Sequence, residues 1–282
     1  MDFKGPIAAG SEEHKRLFCR AFLETHDPYK PEELPWPSLE GAALERLRAL
    51  PVWNEAVNTE FETGFKIDKF AEIETDPMLR DAIALQGYEE ARHFRILELL
   101  TERYGIPVVR RAAPKAAPDR EWEFLRVGYG ECFDSFFAFG LFSLADRSGF
   151  FAPELVRLFE PVMQEEARHI QFFANWVAYR SFRTPVWARP AHKFQRGLAV
   201  SLQLIGRVRM ALELGGADDA NFVADTASSL GDLNPRAFVE LCLSESDRRL
   251  SRYDSRLLRP RFAPAAARLF LKLAPKAEPA AA

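Results

Sequence analysis

Apolar residues recur every three to four positions through nearly the whole chain, and the alternating runs expected of strands are almost absent. The pattern predicts a first helix over 11–26, with Ser11 as its N-cap before an acidic first turn. Asp27 to Pro37 carries four prolines and reads as an irregular connection. Ser38 is placed as the cap of a short helix ending near Leu50. Four longer helical patterns follow at about 52–75, 78–104, 121–147 and 153–182. Beyond Arg183 the periodicity predicts helices over about 188–214, 218–230 and 235–257, the last opened by Asn234–Pro235. The final stretch holds a small apolar helix pattern, ARLFLKL, and an alanine–proline tail read as frayed.

Two of the connections among the four long patterns are short, near Asp76–Pro77 and Ser148–Phe151, as antiparallel neighbours require. The third, residues 105–119 (GIPVVRRAAPKAAPD), has no periodic apolar face. It is longer than the roughly 2–8 residues of a helix hairpin. A crossover along the length of a helical bundle needs such a segment.

Composition narrows the function classes. The chain has 282 residues, 48% hydrophobic, which suffices for one well-packed core. A net charge of -3 gives no reason to expect nucleic-acid binding. Cys19, Cys132 and Cys242 are far apart and fit neither a metal knuckle nor a disulfide framework, as suits a reducing cytosol. The first residues lack the apolar run of a secretion signal, and no stretch approaches the roughly 20 apolar residues of a membrane span. The expectation is a cytoplasmic protein.

The chemistry lies in a repeat. Residues 89–93 read Glu-Glu-Ala-Arg-His, and residues 165–169 read the same, each inside a long helical pattern. Within each copy a Glu and a His lie three apart, Glu90 with His93 and Glu166 with His169, so both side chains share a helix face. One carboxylate and one imidazole from each of two helices make a mixed oxygen and nitrogen site suited to iron or manganese. A bundle holding two metals needs a further Glu from each remaining helix. In the first long pattern Glu60 lies in the apolar stripe Trp53, Val57, Gly64, Ile67 and Ala71, with Glu62 read as its exposed neighbour. Burial of a lone carboxylate is expensive, so Glu60 should be paired or metal-bound. In the third, Glu131 stands among Phe124, Val127, Phe133 and Ala138, with Asp134 on the same face as an alternative ligand or a support behind it. Glu131 is favoured because the longer side chain reaches and bridges more easily.

The order Glu, Glu-x-x-His, Glu, Glu-x-x-His over residues 50–182 resembles the ferritin-like di-iron carboxylate superfamily. The acidic-Glu-x-Arg-His form of each repeat is similar to that of bacterial di-iron monooxygenase hydroxylases. The resemblance implies an all-α protein, a ferritin-like four-helix bundle with a long crossover between its second and third helices. Residues 1–50 would be an N-terminal helical extension, 51–183 the di-metal bundle, and 184–282 C-terminal helices and a basic tail packing on it, in a single domain overall. It implies two iron ions, although the ligand set also permits manganese or a mixed pair. Glu60, Glu90, His93, Glu131, Glu166 and His169 would be the ligands and act through the metals. Glu89 would hold His169 and Glu165 would hold His93, with Arg92 and Arg168 neutralising those two carboxylates. Independent physics agrees, because a ligating imidazole needs an acceptor for its other N–H.

The four ligand carboxylates match two divalent ions in charge. The implied activity is a dioxygen-dependent oxidation, by hydroxylation, N-oxygenation or desaturation, of a small-to-medium apolar organic substrate. The alternatives are a ferroxidase or rubrerythrin-like peroxide reductase, and a non-catalytic metal-stabilised helical module. No dinucleotide fingerprint or cysteine cluster is present, so electrons are expected from a separate donor protein or the substrate. A homodimer is the expected assembly. The phenylalanines around Glu131 have two readings, core packing or a greasy pocket lined by Cys132, Phe136 and Phe139. Gly128, Gly130 and Gly140 likewise either leave room for a ligand or permit close helix contact. His14, His26 and His192 are read as surface or structural residues. Between Arg248 and Lys276 nine Lys/Arg face one acid, Asp254. That segment is read as a solvated face or subunit contact, or else as a basic surface for anionic lipid or an acidic partner.

Overall fold

The computed structural model describes residues 7–214 and 235–273, and helices are the only extended regular structure among them. The predicted helix at 218–230, the Asn234 cap and the tail beyond residue 273 lie outside the described residues. The helices are α1 (Glu12–Glu24), α2 (Gly41–Ala49), α3 (Trp53–Ala71), α4 (Pro77–Arg103), α5 (Arg120–Ser148), α6 (Pro153–Leu158), α7 (Glu160–Arg183), α8 (Arg189–Leu214), α9 (Pro235–Leu250) and α10 (Phe262–Leu273).

Local chemistry fixes most boundaries. Ser11 accepts the His14 N–H to open α1, and Asp76 accepts from Met78 and Leu79 ahead of Pro77 to open α4. Asp119 caps α5 in the same way, and Gly149, at φ 65°, ends it in the left-handed conformation that glycine tolerates. Three expectations need correction, one of them the helix placed over about 235–257, which ends at Leu250. The short second helix begins at Gly41, not after Ser38, because the chain turns through φ 55° there. The pattern over 153–182 is two helices broken at Phe159. Pro161 has no N–H to give the Arg157 carbonyl and its ring crowds that group, so the helix restarts.

Helix α3 packs along α4, α5 along α7, α3 against α5 and α4 against α7, so these four enclose a common interior. The connection from α4 to α5 runs beside α3. Asn54 and Asn58 hold the backbone of Val109 and Arg111 at 2.7–2.9 Å, and Arg120 reaches the Lys69 carbonyl at 3.2 Å. Asn54 to Lys69 is about 22 Å of helix at 1.5 Å per residue. The segment therefore returns along α3, and α5 starts beside the end of α3. Buried Asn58 donates to Val109 O and accepts from Arg111 N, so one side chain holds two backbone groups of the segment. Asn58→Ala should cost roughly 1–3 kcal/mol and expose residues 107–118 to proteolysis first. Unchanged proteolysis would refute that role.

Two apolar clusters close the interior at its ends. One joins Phe18, Phe22, Ile67, Phe70, Ile83, Phe124, Phe173 and Trp176, with Phe70 stacked on Phe124 at 4.6 Å. The other joins Leu47, Leu100, Tyr104, Leu155 and Leu158, with Trp53 against it. The Glu-Glu-Ala-Arg-His repeats lie between them along α4 and α7. Outside the four, α1 packs on α4 and α7, α8 on α5, and α9 on α5 and α7. Arg249 of α9 is fully buried across Phe139 and Phe142 and gives two hydrogen bonds to Glu160 at the start of α7.

Candidate functional site

Four side chains meet most closely at the centre. Glu90, His93, Glu166 and His169 each offer one ligand atom, and these atoms lie within 4.8 Å of one another. This is a buried group able to hold a metal ion. His169 Nδ1 is 2.8 Å from Glu90 Oε1, and His93 Nδ1 is 3.2 Å from Glu166 Oε1. Glu60 approaches from α3, its Oε2 at 3.7 Å from His93 Nδ1. Glu131 enters from α5, where Gln86 of α4 donates to its Oε2 at 3.0 Å.

The orientation of the imidazoles follows from what stands behind them. His93 Nε2 donates to Glu165 at 2.9 Å, and His169 Nε2 donates to Glu89 at 2.8 Å, so each ring is held by the helix opposite its own. With Nε2 engaged behind each ring, Nδ1 is the ring nitrogen that faces the centre. Arg92 bonds Glu165 and Arg168 bonds Glu89, again across the interior. The segment after α1 supplies a third donor to each carboxylate: His26 Nδ1 at 2.5 Å from Glu89, and Tyr29 Oη at 3.2 Å from Glu165. Arg92 also lies over the Tyr29 ring at 3.9 Å and Arg168 over Phe22 at 4.6 Å, so both cations are stacked as well as paired.

Charge at the centre is unbalanced. Burial would raise the Glu89 carboxyl, but His169, Arg168 and His26 outweigh it and hold it at about 2. Burial alone would lower His169, but Glu90 and Glu89 push it up to about 10. His93 is raised well above its ordinary value by Glu165, Glu166, Glu60 and Glu90, against the effect of burial. Glu131 is raised well above the usual carboxylate range by burial and then by Glu90 and Glu166. Glu60 is pushed up to about 8 by burial first, then Glu90, with His93 opposing. Its side chain still keeps 25% of its surface open, so this edge of the cluster meets solvent. Acids that hold protons and imidazoles that gain them mark a cluster short of positive charge. Glu90 Oε1, His93 Nδ1, Glu131 Oε1 and His169 Nδ1 are buried without a hydrogen bond. Glu90 Oε1 and His169 Nδ1 sit 2.8 Å apart without hydrogen-bond geometry between them. Hard oxygen and imidazole donors with unused lone pairs fit divalent iron or manganese.

Several sequence expectations change here. Asp134 is solvent-exposed on α5, not buried behind Glu131. Ser135, one residue on, is buried and donates to Glu166 Oε2 at 2.8 Å. Glu62 is half-buried between Lys66 and Arg111, not open to solvent. Of the two readings of His14 and His26, surface or structural, the second fits: half-buried His26 reaches Glu89 and buried His14 bonds Asn175 at 2.9 Å.

Cys132 and Phe139 belong to the first apolar cluster, and Phe136 packs with Phe133, Phe238, Cys242, Ala263 and Ala267. They line filled core, because α9 and α10 cover that side of α5. The glycines agree. A Cβ on Gly140 would stand 2.3 Å from Cys242 Sγ, and one on Gly128 2.2 Å from Phe173 Cδ2. They serve close helix contact. Gly128→Ala is expected to lose about 1 kcal/mol, since overpacking of roughly 1–3 kcal/mol exceeds the roughly 1 kcal/mol of helix propensity gained. A raised melting temperature would contradict it.

Gln86 and Ser135 carried a usable signal, since each lies four residues from a ligand candidate on the same face, Glu90 and Glu131 respectively. His26 and Tyr29 carried none. No family model, curated protein or solved structure matches this chain.

Proposed function

We propose that this protein is a non-haem di-iron oxidase or oxygenase, built on a ferritin-like four-helix bundle, that uses dioxygen to oxidise an organic molecule. The crossed support of the two imidazoles carries the reading: each Nε2–H is held by the opposite helix's carboxylate while each Nδ1 faces the ligand carboxylates. Glu60, Glu90, His93, Glu131, Glu166 and His169 would hold the two metals. When bound and reduced, the pair supplies the electrons that activate dioxygen. The return of residues 104–119 along α3 favours the bundle topology.

The chain's own residues supply the rest. Glu89 and Glu165 fix the imidazole tautomers, and Arg92 and Arg168 keep those carboxylates ionised. The apolar clusters at both ends of the interior exclude water from the centre. Gln86 and Ser135 hold Glu131 and Glu166 by one oxygen each, leaving the other free to turn inward. The solvent-facing edge at Glu60 is where dioxygen and substrate would enter. A separate protein would deliver electrons.

The test is anaerobic loading with ferrous iron followed by mixing with dioxygen. The expected result is dioxygen uptake in proportion to the bound metal pairs, which then stops. Continued turnover of added ferrous iron with a growing ferric mineral would overturn this reading in favour of iron storage. Metal bound without any uptake would leave a structural bundle.

A further inference from the structure

Helix α8 turns a mixed face toward α5: Arg196 donates to the Tyr129 hydroxyl at 3.0 Å and Gln203 to the Arg126 carbonyl at 2.6 Å, beside the apolar Ala199 and Val200. Its outer face is apolar. Phe194, Leu198, Leu202 and Ile205 follow one another at helical spacing and are all exposed, Phe194 by 70%. The turn ahead of the helix adds Val186 and Trp187, 74% and 84% exposed. Helix α10 repeats the arrangement, with Ala263 and Ala267 inward and Phe262, Leu269, Phe270 and Leu273 outward. Both helices contribute to the cluster around Phe133 and Phe238, α8 through Val200 and α10 through its two alanines. Exposed apolar surface on this scale marks an interaction site.

The charges beside it choose the partner. Ser181 to Gly206 contains four Lys/Arg and no Asp or Glu, and residues 259–273 again contain four and none. Arg189, Lys193, Arg261 and Lys272 are exposed. Asp247 of α9 faces Arg268 at 3.9 Å and leaves those four cations untouched. A two-fold contact with a second copy would set this basic face against itself, and like charges there are costly. Apolar side chains rich in Trp, Phe and Leu, edged among the described residues by Lys and Arg with Asp247 the acid nearby, match the boundary layer of an anionic bilayer.

We propose that α8, together with α10, is an interfacial membrane-binding face that lies on anionic lipid surface without crossing it. No helix among the described residues is long and apolar enough to span a bilayer. The inference is independent of the metal chemistry.

Flotation of the full chain tests it, with vesicles of phosphatidylcholine plus phosphatidylglycerol compared against phosphatidylcholine alone. Binding to the mixed vesicles, weakening as salt rises, is expected. Lys193→Gln and Arg189→Gln should each lower the partition about fivefold, since each basic residue near an anionic surface contributes that much. Phe194→Glu, at a site where nothing is packed, should abolish flotation while circular dichroism stays helical; should it unfold, the two charge variants carry the test. Absence of binding to the mixed vesicles, or binding indifferent to salt and to the charge variants, overturns the proposal. A dimer in light scattering that Phe194→Glu dissociates, with no flotation, would assign the face to a second copy instead.

Discussion

Replacing His169 with alanine is expected to strip the protein of its metal. The unaltered chain should carry about two ions by elemental analysis, as a site of this class demands. His169 Nδ1 is a buried atom without a hydrogen bond, and it faces Glu90 at 2.8 Å. No other imidazole reaches that half of the cluster except His93, whose ring centroid is 5.5 Å away and which serves the other half. His93→Ala should have the same effect. A graded companion separates ligation from folding. Glu89→Gln keeps every ligand but weakens the acceptor that orients His169, so it should lower metal affinity about 10–100-fold without abolishing binding. Retention of both metals in His169→Ala would dismantle the site, and equal behaviour of the two variants would remove the crossed-support argument.

The second large effect is structural. Arg168 is buried, bonds Glu89 across the interior, and donates to the Phe22 carbonyl at 2.9 Å. Arg168→Met should leave the buried Glu89 carboxylate with His169, His26 and, at 3.8 Å, Arg92 to answer it. Removing one partner of a buried pair costs about 3–5 kcal/mol, much of it the burden of the charge left behind. For a chain of this length that corresponds to a fall in melting temperature of roughly 6–20 °C. Combining Arg168→Met with Glu89→Gln should recover part of the loss, since the stranded charge is then gone. If the double variant were less stable than the sum of the singles, the pair would not be the unit acting here.

The helices that enclose the site were legible because their apolar positions recur at the helical period and their caps are local, as Asp76–Pro77 and Asp119 show. The crossed pairing of Glu89 with His169 and Glu165 with His93 is what the family resemblance implies, and the hydrogen bonds run that way. What failed was tertiary. Pro161 stood in plain view, yet a continuous pattern over 153–182 concealed the break at Phe159. The phenylalanines of α5 read equally well as pocket or core until α9 and α10 were seen to cover them. His26 and Tyr29 sit in or next to a proline-rich segment with no periodicity, so nothing local says which way they face. The apolar outer face of α8 reverses the rule that the apolar stripe of a surface helix turns inward, and periodicity alone cannot tell inside from outside.

The exchange of partners between the two repeats has a mechanical side. Each of α4 and α7 carries both a lock and a key for the other, so sliding one past the other by a single turn, about 5.4 Å, would break both imidazole bonds and both arginine bonds together. Longitudinal shear of this pair is thereby made all-or-none, and the spacing of the two Glu-x-x-His sets is held as a rigid ruler.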